Sequence, residues 1–371
     1  MKLEIFEMER MQSNWENMVE YDMSESGVRA VTLRELMDMG FDLETVLDTP
    51  LSYNQSNGTI ELRKLLTEIY PETGLDNIEV TNGTSEANFL ISLVTLKAGD
   101  EMALQIPNYM QLWGVPRSLG AQVNTFSMRF EAGWEPDWEE FEKAVNPRTR
   151  LVYISNPNNP SGAVLSETAM ERIVSRCEEM GSYLLADEVY QGVEREREQT
   201  QSFWGKSDRV VVTSGLSKAY GIPGVRIGWI VGPEGFVEEC WSQHDSITIG
   251  PNKLSDIIAR TAVKPENRAK LFSRTRKILQ QNQPVMEEWL QSLGGFFEYN
   301  PHVAGAYYFL KYNADIPSLK LVENILHNQS TLIVPGIHLG MEGFLRIWIG
   351  AKPDFLKEGL RRIGEEIKSF L

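Results

Sequence analysis

The sequence has few residues of the kinds that build disulfides or metal sites. Cys177 and Cys240 are its only cysteines, too few for a disulfide framework. The four histidines are scattered without the spacing of metal ligands, so we expect no metal. No apolar run approaches the length of a membrane span, and the N-terminus lacks the apolar segment of a signal peptide. These absences predict a reduced, cytoplasmic protein that does not span a membrane.

Blocks of basic residues are also missing. The 371 residues include 36 Lys and Arg against 52 Asp and Glu, which gives a formal net charge of -16. Because an acidic surface repels phosphate backbones, we do not expect nucleic acid as a partner. Hydrophobic residues make up 42% of the chain, enough for one large or two ordinary domains with buried cores.

The middle of the chain alternates between short apolar runs and helical stretches. This alternation is typical of βαβ units and predicts an α/β fold, with a large, mainly parallel seven-stranded sheet covered by helices. The predicted strands are 78–81, 101–104, 122–126, 151–155, 183–186, 210–213 and 227–231.

The pattern changes after about residue 250. A long charged helix over 268–292 precedes short strands at 305–312, 331–334 and 343–349 and then a final helix. We therefore expect a large domain over 45–255. A smaller α+β domain would combine 256–371 with an N-terminal arm, 1–44. In the arm, helical spacing of Met8, Met11, Trp15 and Met18 predicts a helix that docks its apolar face.

A lysine follows the predicted strand 210–213 within a loop of small residues. Lys218 therefore leaves the carboxyl end of a strand, where open α/β sheets bind ligands. An amine that is desolvated or close to other cations becomes nucleophilic toward an aldehyde. The neighbours Ser217 and Arg226 suit a phosphate group. Residues 83–85 end another strand and open a helix, which favours anion binding.

Two further strands end in polar motifs. Asn159 lies in the loop after 151–155, and Asp187 and Tyr190 follow 183–186. In a parallel sheet these loops share one edge with the lysine loop, so we expect all of them over the same crevice.

Three motifs, in this order, carry a resemblance to a known family. They are Asn-Pro-x-Asn-Pro-x-Gly from Asn156, Asp-Glu-x-Tyr from Asp187, and Ser-x-x-Ser-Lys-x-x-Gly-x-x-Gly-x-Arg-x-Gly from Ser214. Over essentially its whole length the chain resembles the pyridoxal-phosphate enzymes of fold type I, in the class I/II aminotransferase branch. The resemblance implies pyridoxal 5'-phosphate as the cofactor and an L-amino acid as the substrate.

The resemblance also implies roles for single residues. Lys218 would bind the cofactor aldehyde and then move protons, and Asp187 would pair with the pyridine nitrogen. Asn159 and Tyr190 would bond the phenolic oxygen, and Tyr109 would stack on the ring. The residues implied for the phosphate are Gly83, Thr84, Ser85, Ser217 and Arg226, with Tyr53 contributed across a homodimer.

For the substrate, the resemblance implies that Arg346 binds the α-carboxylate as a two-point fork, with Asn159 beside it. Gly27 corresponds to the arm that closes over the substrate. The chain departs from many relatives at Gly215, where they carry a phosphate-binding serine.

The shared motifs leave the reaction open. The arm around residues 24–28, together with the lysine loop, resembles capreomycidine- and enduracididine-forming cyclases, which act on hydroxylated arginines. The acidic residues Glu9, Glu25 and Asp22 are candidates for holding a guanidinium. We favour such an elimination and cyclisation, and the alternative is amino transfer from arginine or another L-amino acid to a 2-oxo acid. A cofactor-sensing regulator of transcription would need a basic DNA-binding module, which this sequence lacks.

Overall fold

A computed structural model describes residues 2–195 and 199–370. Its strands, in chain order, are β1 (Tyr21–Asp22), β2 (Ile78–Thr81), β3 (Glu101–Ile106), β4 (Gln122–Arg129), β5 (Glu135–Pro136), β6 (Thr149–Ser155), β7 (Tyr183–Asp187), β8 (Val210–Gly215), β9 (Gly228–Val231), β10 (Phe297–Glu298), β11 (Tyr307–Tyr312), β12 (Thr331–Leu332), β13 (Val334–Pro335) and β14 (Phe344–Trp348). Its α-helices are α1 (Glu7–Trp15), α2 (Leu33–Met37), α3 (Leu43–Leu47), α4 (Ile60–Thr67), α5 (Thr84–Thr95), α6 (Gln111–Ser118), α7 (Trp138–Ala144), α8 (Glu167–Met180), α9 (Glu234–His244), α10 (Lys253–Val263), α11 (Pro265–Ser292), α12 (Ser318–Gln329) and α13 (Pro353–Ile367).

The large sheet has the strand order β2-β9-β8-β7-β6-β3-β4-β5. The five central strands from β8 to β4 run parallel, and β9 runs antiparallel to both of its neighbours. The seven predicted strands are all present, and the two-residue β5 adds an eighth at the edge. The predicted fold class is therefore confirmed.

Both faces of this sheet are buried, and the strand sequences show why. In β8, Val210 and Val212 join one apolar cluster, whereas Val211 between them joins a second cluster on the opposite face. In β7, Leu184 and Leu185 divide between the two faces in the same way. Complete burial of such a side chain contributes roughly 1.5–3 kcal/mol. Continuous apolar strands of this kind need a layer of helices on each face.

The smaller sheet is antiparallel, with the order β10-β11-β14-β13. Helix α13, which packs against α11 and α12, buries Leu356, Leu360, Ile363 and Ile367, which follow the helical period. Strand β1 of the arm pairs with β12, so the N-terminal arm is attached to this part of the fold. The domain boundaries at residues 45 and 255 stay a prediction.

The predicted apolar stripe of the arm forms part of α1. Met8 is buried and Met11 is partly buried against the core, but Met18 is 74% exposed because the helix ends at Trp15. The next helix, α2, is short and begins with a capping box between Thr32 and Glu35. Among the described residues, no helix has the length and apolar character needed to cross a membrane.

Candidate active site

A cavity of about 310 Å³ lies at the carboxyl ends of β6, β7 and β8. The expected convergence of the strand-end loops is therefore present in the structure. The residues singled out in the sequence that line the cavity are Glu9, Glu25, Thr84, Ser85, Tyr109, Asn159, Asp187, Tyr190, Ser217, Lys218 and Arg226.

Lys218 projects into this cavity from the loop after β8. Its Nζ donates a 2.8 Å hydrogen bond to Oγ of Ser26, which is buried and belongs to the N-terminal arm. A Cβ placed on the neighbouring Gly27 would lie 3.3 Å from the carbonyl oxygen of Ser217. Glycine at this position therefore lets the arm pack closely against the lysine loop.

Asp187 lies at the end of β7 and is nearly fully buried. Its Oδ2 accepts hydrogen bonds of 3.2 Å from Asn88 and from Tyr153, and its Oδ1 accepts one from the amide of Val189. Burial raises the pKa of Asp187, while these donors and the charge of Lys218 oppose the rise. A cationic ring nitrogen placed beside this carboxylate would favour its charged form further.

The turn between β2 and α5 forms a concave anion site. Gly83 has a φ of 91°, and any side chain there would run into the guanidinium of Arg226. Thr84 is the first residue of α5, so backbone amides of the helix N-terminus face the same space as Arg226 and Ser217. A helix N-terminus with an adjacent guanidinium is suited to a phosphate.

Gly215 explains how the chain departs from many relatives at this site. A Cβ on Gly215 would lie 2.9 Å from both Oγ1 of Thr84 and the carbonyl oxygen of Ile227. A serine would therefore require the backbone or the threonine to shift. In this chain the hydroxyl of Thr84 lies where a side chain at position 215 would point.

Two hydroxyl groups lining the cavity are buried without a hydrogen-bond partner in the described part of the chain, those of Tyr190 and Thr84. Leaving such a group unpaired costs about 1–3 kcal/mol, so a polar ligand that pairs with both would be stabilised. Together with Lys218 and Asp187, these donors fit a ligand that has an aldehyde, a ring oxygen, a ring nitrogen and a phosphate.

Arg346 lies behind Asn159 and is fully buried. Its Nη1 donates to Oδ1 of Asn159 at 2.9 Å, and its Nη2 donates to the carbonyl oxygen of Ser24 at 2.6 Å. Its Nε has no partner within residues 2–195 and 199–370. The guanidinium is therefore held in place by Asn159 and the arm, and its Nε remains unpaired in the described part of the chain.

Helix α1 carries acidic residues into the mouth of the cavity. Glu9 and Glu16 line it together with Gln12, and Oε1 of Glu9 accepts a 2.8 Å hydrogen bond from the hydroxyl of Tyr109. Burial, together with Glu9, raises the pKa of Tyr109 well above its ordinary value, so the phenol stays a neutral donor. The sequence analysis missed Gln12 and Glu16, although their spacing from Glu9 indicates one helix face.

The carboxylates of this region affect one another. Burial raises the pKa of Glu16, and repulsion from Asp22, Glu25 and Glu9 raises it further. Burial also raises the pKa of Glu25, but Lys218 and the Ser26 amide outweigh it and leave this pKa lowered. The positive charge of Lys218 therefore partly compensates Glu25, whereas the carboxylates around Glu16 add negative charge beside it.

Five candidates are not among the residues that line the cavity: Gly27, Gly83, Arg346, Asp22 and Tyr53. Asp22 accepts hydrogen bonds from the amide and hydroxyl of Ser24. Tyr53 is 86% exposed, an arrangement suited to a residue that acts across an interface. Within the described residues, no cluster of His, Cys, Asp and Glu has the geometry to hold a metal ion.

Comparison with known families places this site in context. The family model for aminotransferase class I and II matches residues 43–363. The chain belongs to this family. The enzyme therefore depends on pyridoxal phosphate, and the cavity residues described above fit that cofactor.

Individual relatives of the enzyme differ in reaction. Capreomycidine synthase from Streptomyces vinaceus is 28% identical over 362 residues, covering 93% of this chain and 89% of that protein. A probable aspartate/prephenate aminotransferase from Aquifex aeolicus is also 28% identical, over 330 residues, covering 85% and 83%. The crystal structure of a PLP-dependent aminotransferase from Streptococcus suis matches with a TM-score of 0.92 at 29% identity, covering 100% and 99%. Since the two named reactions occur at equal identity, sequence similarity does not choose between them.

Proposed function

We propose that the enzyme acts on an L-amino acid with a guanidino side chain. The specific reaction we propose is loss of water from a hydroxylated L-arginine followed by ring closure to a cyclic guanidino amino acid. The observation that supports it best is the acidic wall of the cavity, formed by Glu9, Glu16 and Glu25. Carboxylates that repel one another across a partly closed cavity favour a cationic ligand.

The cofactor would be held by the residues expected from the sequence. Lys218 binds the aldehyde, Asp187 pairs with the ring nitrogen, and Asn159 and Tyr190 bond the ring oxygen. Tyr109 covers the ring. The group that holds the phosphate is Gly83, Thr84, Ser85, Ser217 and Arg226, with Tyr53 from a second subunit. When bound, pyridoxal phosphate supplies an electron sink for the electron pair left at the substrate Cα.

The protein's own groups would then carry the proton steps. Arg346 and Asn159 hold the α-carboxylate, with the unused Nε of Arg346 as an additional donor. The Nζ of Lys218 takes the proton from Cα. The hydroxyl of Ser26 lies 2.8 Å from this nitrogen and fixes its position while the arm covers the site.

Ring closure requires a leaving group and a folded side chain. A hydroxyl on Cβ departs directly as water after the Cα proton is lost, whereas one on Cγ requires a further proton to leave Cβ. A guanidine nitrogen then bonds to the carbon that lost oxygen and gives up its own proton. Cα regains a proton, and on the Cγ route Cβ regains one as well. The net change is loss of one water. Candidates for holding the guanidinium are Glu9, Glu25 and Asp22, in that order, and the structure adds Glu16.

Amino transfer is the second candidate reaction. It is favoured by the ordinary form of the Asp-Glu-x-Tyr motif, Asp187 to Tyr190, and by the equal identity to an aminotransferase. In that reaction Lys218 would move the proton taken from the substrate Cα, and a 2-oxo acid would accept the amino group.

We also propose that the enzyme is a homodimer whose site is completed across the interface. Tyr53 lies near other exposed apolar residues of its segment, Leu47 and Leu51, and the following Ser56 is bonded to Trp241. Ile249, close to that contact through Gly250, is exposed as well. Exposed apolar residues grouped around an implied cofactor ligand favour an interface there.

The substrate class can be tested with a neutral analogue of arginine. We expect the value of kcat/KM for L-arginine and its hydroxylated forms to exceed that for L-citrulline, which has nearly the same shape without the charge. Neutralising the true guanidinium-binding carboxylate should cost about 2–5 kcal/mol for the cationic substrate only. Equal values of kcat/KM for arginine and citrulline would show that the acidic wall does not distinguish a charged side chain from a neutral one.

A further inference from the structure

A charged cluster lies buried directly behind the phosphate-binding turn. His244, the last residue of α9, and Glu79, on β2, are both fully buried. Nδ1 of His244 lies 2.8 Å from Oε1 of Glu79, and its Nε2 lies 3.1 Å from Oε2 of Glu86. Each ring nitrogen therefore faces a carboxylate oxygen, and both can donate only when the imidazole is protonated.

The cluster is connected to the turn through Glu86. Oε2 of Glu86 accepts a 2.6 Å hydrogen bond from the backbone amide of Asn82 and a 3.1 Å bond from its side chain. Asn82 immediately precedes Gly83 and Thr84. Thr248 closes the network by donating to Oε1 of Glu86 at 2.7 Å and accepting from Asn82 at 3.0 Å.

The pKa shifts of His244, Glu86 and Glu79 indicate which of these groups carry a charge. Burial lowers the pKa of His244, but the hydrogen bonds that its ring donates to Glu79 and Glu86 outweigh burial and raise this pKa to about 9. The pKa of Glu86 is lowered to about 2, although burial opposes the shift, whereas burial raises that of Glu79, with Glu86 and Asp245 also raising it. At neutral pH an imidazolium thus compensates the carboxylate of Glu86.

This compensation matters because Glu86 lies in the first turn of α5. An uncompensated carboxylate at that end of the helix would repel a phosphate bound to the same amides. With the imidazolium behind it, the carboxylate is turned toward Asn82, where it fixes the backbone of the turn.

We propose that His244 is a positioning residue for the cofactor phosphate, acting through Glu86 and Asn82 on the turn at Gly83 and Thr84. The proposal rests on the proposed placement of the phosphate at this turn. It assigns to His244 a phosphate-specific effect on cofactor affinity, distinct from its contribution to folding.

The test compares pyridoxal phosphate with pyridoxal, which lacks the phosphate. Holoenzyme is stripped and reloaded, and the dissociation constant of each ligand is measured from the absorbance of the bound form. We expect His244→Gln to raise the dissociation constant of pyridoxal phosphate by about tenfold or more, the size expected for loss of a charged hydrogen bond. The dissociation constant of pyridoxal should not change. The matched control is His302→Gln, a buried histidine whose Nε2 accepts from the amide of Phe309, far from the turn in the chain.

A second variant covers the case in which His244→Gln does not fold. Thr248 is exposed, so Thr248→Val removes its bonds to Glu86, to Asn82 and to Nε2 of His244 while the imidazole itself stays. We expect a smaller loss of affinity for pyridoxal phosphate, roughly threefold to tenfold, and again no change in the affinity for pyridoxal. The proposal would be overturned if a variant lost the same affinity for both ligands, or if neither variant changed the affinity for pyridoxal phosphate. A wild type that binds both ligands equally would instead overturn the placement of the phosphate. Neither outcome depends on which amino acid is the substrate.

Discussion

Nζ of Lys218 donates a 2.8 Å hydrogen bond to Oγ of Ser26, a residue 192 positions earlier in the chain. The bond joins the loop that carries the reactive amine to the arm that covers the cavity. Gly27 next to it leaves just enough room for the two backbones to approach. The position of the arm and the position of the amine therefore depend on each other.

Replacing Ser26 with alanine removes this acceptor while leaving the amine in place. We expect kcat to fall about threefold to tenfold, the size of one hydrogen bond, with little change in KM. Borohydride reduction should still fix the cofactor onto Lys218 in the Ser26→Ala variant, and Lys218→Ala should lose the label and turnover while staying folded. Peptide mapping after reduction checks both. A label on another lysine would contradict the assignment.

Tyr53 provides the test of assembly. We expect a homodimer by sedimentation, because the exposed Tyr53 completes the phosphate site of the second subunit in our proposal. Tyr53→Phe should keep the dimer but bind cofactor more weakly by about 0.5–1.5 kcal/mol. A monomer with full activity would exclude this arrangement.

Arg346 should bind the part of the substrate that all amino acids share. Arg346→Lys keeps the charge but loses the planar fork. We therefore expect the transition-state stabilisation that kcat/KM reports to fall by about 1.5–3 kcal/mol for every substrate. Steady-state rates with one cationic and one neutral amino acid check this. If only one of the two substrates is affected, Arg346 contacts the substrate side chain and not the shared α-carboxylate.

His244 gives the stability of the enzyme a defined dependence on pH. Its pKa is about 9 in the folded chain against an ordinary value of 6.5, so folding favours the protonated form. The resulting stabilisation is complete below pH 6.5 and is lost as the pH rises through 9. We expect the free energy of unfolding in urea to fall over this window, on the order of 3 kcal/mol. The His244→Gln variant should not show this component, and an identical slope in both proteins would contradict the assignment.

The sequence pattern was sufficient for the large sheet because its strands are continuously apolar. The strand Ile78–Thr81 begins and ends where the pattern predicted. The predicted strand 331–334 is instead two strands: Thr331 and Leu332 pair with the arm, and Val334 and Pro335 pair with β14. A local pattern does not specify which partner each half of a run will meet.

The same reason separates the site residues that could be predicted from those that could not. Lys218, Asp187 and Asn159 stand in motifs at strand ends. Ser26 has no such motif, because its role depends on a contact with Lys218 that only the folded chain creates. His244 looked isolated in the sequence, since Glu79 lies 165 positions away.

The central claim concerns the product formed from a hydroxylated arginine. Wild-type enzyme with pyridoxal phosphate is incubated with L-arginine hydroxylated at Cβ or at Cγ, with the α-amino nitrogen isotopically labelled. Matched variants are Glu9→Gln, Glu16→Gln, Glu25→Gln and Asp22→Asn. We expect at least one of them to lose the cyclic product while binding the cofactor normally, since holding the guanidinium is catalysis by positioning.

The decisive measurement is the mass spectrum of the wild-type product. Our account predicts a product lighter than the substrate by one water, which retains the labelled nitrogen and contains a new bond between a guanidine nitrogen and the former hydroxyl carbon. If both hydroxyarginines give only the open-chain 2-oxo acid without the label, and all four acidic variants behave like wild type, the enzyme is an aminotransferase and the cyclisation account is wrong.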